Sequence, residues 1–146
     1  MRAVPESEDP GGLTRAQVEE DRNQATFLAK QLDAGQSVDQ QTLGLEFEEA
    51  VSVPGQLTVN TFFSRRDFAQ QLPFPGASRV AYDRQFYGVG SSYQQDSTLA
   101  GLPLVWMVGA DVHRQRDQRR RYQVSFEGQV TGQTQDETQN ATNAAV

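Results

Sequence analysis

From residue 43 the chain alternates apolar and polar positions. Leu43, Leu45 and Phe47 are separated by Gly44 and Glu46, and Leu57, Val59, Thr61 and Phe63 repeat the same period of two. A period of two sends successive side chains to opposite faces of a strand, so both runs predict strands with one solvated face. Residues 79–87 alternate again through Val80, Tyr82 and Phe86. The most apolar stretch, 102–112, holds Leu104, Val105, Trp106, Met107 and Val108, which predicts a strand buried on both faces at the centre of a sheet. Tyr122, Val124 and Phe126 supply its partner, with 114–121 expected as the exposed loop of that hairpin. Together these runs predict an α+β chain with a mostly antiparallel β sandwich or barrel-like core.

Punctuating residues divide the pattern. Val53-Pro54-Gly55-Gln56 matches a type II turn, and Ser64-Arg65-Arg66-Asp67 ahead of Phe68, with Pro73 and Pro75 beyond, predicts a helix of one or two turns. Residues 88–97 are rich in glycine and serine and read as a loop carrying Tyr93. Near the N-terminus, Thr14-Arg15-Ala16-Gln17 fits a capping box and Leu13 and Val18 a hydrophobic staple. Acidic residues 19–21 suit the helix dipole, and Gly35 supplies a stop, so one N-terminal helix is predicted over 14–33. Its stripe of Val18, Ala25, Leu28, Ala29 and Leu32 is narrow, as for a helix lying on a surface. Residues 1–12 read as an extended arm, 13–130 as a single β-rich domain, and 131–146 as a polar tail too hydrophilic to order alone.

Composition narrows the chemistry. The 146 residues include no cysteine, which excludes disulfides, thiolate metal sites and a cysteine nucleophile. A net charge of -6 argues against wrapping nucleic acid with the whole surface. No apolar run reaches the roughly 20 residues of a transmembrane helix, and the first residues lack a signal-peptide core, so no membrane span and no export are expected. His113, two residues from Asp111, lacks the further ligands of a metal site, and Glu46, Glu48 and Glu49 follow the alternation of a half-solvated strand. Gly88-Val89-Gly90 lacks the lysine and helix of a phosphate loop, and Asn140-Ala141-Thr142 matches a glycosylation sequon by chance.

One dense basic run remains. Arg114, Arg116, Arg119, Arg120 and Arg121, ending at Tyr122, form the candidate partner-contact patch, with acidic protein ranked ahead of nucleic acid. With no catalytic residue, metal or cofactor assigned, the expectation is a non-enzymatic structural or assembly protein. A virion component fits that layout: a capsid decoration, minor capsid or head-tail connector protein, tied through its ends to other subunits, including copies of itself. It would then reside in the virion, or in the cytoplasm of a non-viral host. The alternative is a nucleic-acid or acidic-ligand module using the 114–121 hairpin, with Tyr93, Trp106 and Tyr122 as stacking residues.

Overall fold

The computed structural model describes residues 2–52, 55–73 and 78–146. It is mostly antiparallel β: one six-stranded sheet in the order β1-β2-β3-β4-β5-β6, with two short helices between the first two strands. The strands are β1 (Arg2–Glu8), β2 (Gly35–Ser52), β3 (Gly55–Gln71), β4 (Ser78–Leu99), β5 (Leu102–Val124) and β6 (Val130–Ala145). Neighbours in sequence are neighbours in the sheet, so the sheet is a meander, and among the described residues β1 and β6 are its open edges. Strands in globular proteins usually run about 3–10 residues, whereas β4 and β5 hold 22 and 23. The chain divides into two compact units, residues 1–41, 66–84 and 117–139 in the first and 42–65, 85–116 and 140–146 in the second.

Among the described residues the buried apolar side chains lie in the first unit. β1 pairs antiparallel with β2, from Arg2 opposite Gln40 to Glu8 opposite Gly35, with a bulge between Val4 and Ser7. The helix expected over 14–33 is two: α1 (Arg15–Glu20) and α2 (Phe27–Gln31). The predicted capping box is present, Thr14 accepting from the Gln17 N–H while the Gln17 side chain accepts from the Thr14 N–H. The break follows from local competition for the backbone. Asp21 takes an extended conformation and its carboxylate accepts from the Asn23 N–H, offering the chain an alternative to another helical turn. Thr26 then caps α2 through the Ala29 N–H. Ala29, Leu32 and Ala34 are buried beside Gln71, whose amide donates to the carbonyls of Leu32 and Gly128.

Several expected irregular segments are strand. Residues 64–67 lie within β3, because the Ser64 hydroxyl meets Thr42 Oγ1 across the sheet at 2.9 Å instead of capping a helix. Residues 88–97 lie within β4, and 114–121 within β5. The polar C-terminal stretch is β6, tied to β5 by Thr134 Oγ1 donating to the Arg121 carbonyl at 3.1 Å and by Gln118 reaching Asp136 at 3.5 Å. Residues 102–112 form part of β5, next to the edge strand and exposed instead of central and buried. The Val53-Pro54 half of the expected type II turn, and Pro75, lie outside the described residues.

Candidate functional site

The second unit carries the surface that calls for explanation. Its β4 and β5 segments are joined by a two-residue turn with Ala100 at φ 52° and Gly101 at φ 82°, two left-handed residues whose twist matches the flanking strands. From that turn the strands run antiparallel, and side-chain contacts identify the residues that share each face. Thr42 meets Ser64, the Phe62 and Phe86 rings lie 4.9 Å apart, and Phe86 meets His113 at 5.9 Å. Even-numbered residues of β2, β3 and β4 therefore share a face with odd-numbered residues of β5. On the opposite face the Tyr93 and Trp106 rings meet at 5.5 Å.

The two faces differ in chemistry. The first is polar: Glu46 and Glu48 on β2, Thr58 and Asn60 on β3, Ser92, Gln94 and Asp96 on β4, Asp111, His113 and Gln115 on β5. Its apolar members in mid-strand cluster about Gly88, where a Cβ would collide with the His113 ring and lie 2.8 Å from the Val112 carbonyl oxygen. The missing side chain lets Phe62 and His113 meet across the gap at 5.4 Å. The second face is predominantly apolar: Leu43, Leu45 and Phe47 on β2, Leu57, Val59 and Phe63 on β3, Val89 and Tyr93 on β4, and Leu104, Trp106, Val108, Ala110 and Val112 on β5, with Glu49, Thr61, Ser91, Gln95 and Ser97 as its polar members. Within this unit Arg65, Arg114 and Arg116 lie on that face past Phe63 and Val112, with Tyr87 beside them.

Nothing among the described residues covers the apolar face. Leu43 and Leu45 are each 66% exposed and Val108 57%. Large contiguous apolar surface is rare on soluble monomers and marks a contact with protein or lipid. The sequence analysis missed this face in β5 because Val105 and Met107 interrupt its contrast near the turn. The signal begins beyond them, where Gly109, Asp111, His113 and Gln115 are polar or small while Ala110 and Val112 remain apolar.

The residues singled out for chemistry are dispersed. Alternation in β5 sends Arg114, Arg116, Arg120 and Tyr122 to one side and Arg119 and Arg121 to the other, so the basic run is part of a strand and not a hairpin tip. Arg120 pairs with Asp83, and Arg119 donates to Gln139 at 3.2 Å and lies 3.9 Å from Glu137. Alternation likewise separates Glu49 from Glu46 and Glu48. His113 Nε2 is 3.6 Å from Asp111 Oδ2, and among the described residues no group of three or more potential metal ligands assembles. None of the described helices is long and apolar enough to cross a membrane. A search of protein-family models finds none that matches this chain.

Proposed function

We propose that the second unit is a lipid-facing part of a transmembrane β-barrel wall, so that the chain serves in a membrane barrel whose polar interior admits water-soluble solutes. The observation that carries this reading is the opposite chemistry of two faces built from alternate residues of the same strands, with the apolar one uncovered among the described residues. Barrel strands in membranes alternate apolar outward and polar inward, and a span needs only about 9–11 residues. The stretch 102–112 of β5 meets that length, its apolar residues giving way to Arg114 and Arg116. Tyr87, near that end, suits the aromatic girdle found where such walls meet the interface, while Trp106, in ring contact with Tyr93, lies within the span. The run-length criterion for a membrane span bears on helices alone, because a strand shows lipid only every second residue. Further strands would close the open edges, giving the barrel-like member of the two expected architectures.

Trp106 provides the experiment, being the only tryptophan in the chain. Refolded into phospholipid vesicles, the full chain should show Trp106 emission quenched by lipids brominated along their acyl chains. Unchanged emission with every brominated lipid would reject the reading.

The second reading keeps the non-enzymatic structural subunit, with a virion as its setting. The outer edge of β6, unpaired among the described residues, favours it, since edge strands recruit neighbouring chains. Neighbouring protein would then cover the apolar face, and quenching by lipid would be absent.

A further inference from the structure

The first unit contains a cationic arrangement that neither reading uses. The Phe68 and Tyr82 rings stack across β3 and β4 with centroids 4.9 Å apart and planes 22° from parallel. In antiparallel strands that pairing brings Arg66, two residues before Phe68, opposite Arg84, two residues after Tyr82, on the same face. The Arg66 guanidinium carbon lies 5.7 Å from the Phe68 centroid and that of Arg84 5.0 Å from the Tyr82 centroid, so each cation has an aromatic neighbour on its own strand.

Two like charges directly opposite one another repel, and among the described residues only Arg84 has a carboxylate partner. Asp117 accepts from Arg84 Nε at 2.8 Å and from Nη2 at 2.6 Å, taking one edge of that guanidinium. Glu137 stands beside Arg119, at 3.9 Å. Arg66 Nε is buried and has no hydrogen-bond partner among the described residues. That nitrogen is enclosed, so the groups an oxyanion would meet are the terminal Nη groups of Arg66 and the Nη1 of Arg84, which Asp117 does not take, and its paired acceptor oxygens would offset the repulsion between the two cations.

We infer that Arg66, beside Arg84, forms a binding site for a small oxyanion, a carboxylate or phosphate group carried by a solute. The inference rests on the first unit alone and is independent of whether the second meets lipid.

The test uses the full chain in detergent micelles, titrated calorimetrically with acetate and with phosphate at constant ionic strength, with chloride as the comparison. One oxyanion or both should bind saturably, and the tighter one identifies the ligand group. Arg66→Gln should weaken that binding roughly tenfold or more, the loss of about one charge-assisted hydrogen bond. Arg15→Gln, on exposed α1, should leave it unchanged. Without added oxyanion, Arg66→Gln should melt at or above the temperature of the parent, because it removes a repulsion. A purely structural Arg66 would lower it. Absence of saturable binding, equal binding of chloride, parent-like affinity in Arg66→Gln, or a lowered melting temperature of that variant would each overturn the inference.

Discussion

Arginine in place of Val108 is expected to cost about 2–4 kcal/mol of stability in a bilayer, and so to reduce the inserted fraction by roughly tenfold or more. Val108 lies midway along the apolar run from Leu104 to Val112 and is 57% exposed, so the substituted side chain meets no steric obstacle. The penalty would come from the surroundings, through burial of a charge in hydrocarbon. Gln94→Arg makes the complementary test, because Gln94 belongs to the polar face where added charge stays in water. It should insert like the parent chain. Flotation of vesicles after refolding, with bound protein measured for each variant, checks both outcomes. Equal insertion of the two variants would mean that the faces do not meet different solvents.

Removing the Arg84 guanidinium should have the largest effect in the first unit. Asp117 is 4% exposed and Arg84 reaches it through two nitrogens, so Arg84→Ala withdraws the cation that compensates a buried carboxylate. A loss of about 3 kcal/mol is expected, at the lower end for buried pairs because the Arg84 side chain is 35% exposed. The hydrogen bond to Asp117 raises the Arg84 pKa above its ordinary value, ahead of the opposing effect of burial. A pKa raised on folding gives stability that is complete below the unfolded value and fades only as pH rises through the folded one. The Arg84 side of the pair therefore adds no pH dependence near neutrality. Denaturant unfolding of Arg84→Ala, Asp117→Ala and the double variant measures the coupling. The double variant should be more stable than the sum of the two single losses implies, and strict additivity would contradict the pairing.

The strands of alternating sequence were legible because period two is written into the residues: Leu43 to Phe47 and Leu57 to Phe63 stand in β2 and β3 as expected. The Thr14 capping box was legible for the same reason, being a contact between residues three apart. Illegible were the elements whose order comes from a neighbouring strand. The Arg114 to Arg121 run has the composition of a loop, yet it is strand, with Arg120 held by Asp83 on one neighbouring strand and Arg119 by Glu137 and Gln139 on the other. The Gln- and Thr-rich β6 is likewise tied to β5, its Thr131 and Thr134 hydroxyls donating to β5 carbonyls and its Asp136 carboxylate accepting from the Gln118 amide. Ala100-Gly101 escaped notice because tight hairpin turns are more often announced by Asn-Gly or Asp-Gly. The largest gap concerned 102–112. Density of apolar residues suggested burial on both faces, whereas the structure leaves Val105 61% and Met107 63% exposed on the face opposite Leu104, Trp106 and Val108. Composition counts apolar residues without saying what covers them.

The chain contains no cysteine, so single cysteines can be introduced one at a time from 104 to 112 and spin-labelled without a background. In vesicles, accessibility to oxygen, which concentrates in hydrocarbon, and to a charged nickel chelate, which stays in water, should alternate along β5. Labels at 104, 106, 108, 110 and 112 should favour oxygen, and labels at 109 and 111 the chelate. Oxygen accessibility no higher at the even positions than at the odd ones, or shielding of the even positions from both reagents as under a protein partner, would contradict a lipid-facing wall.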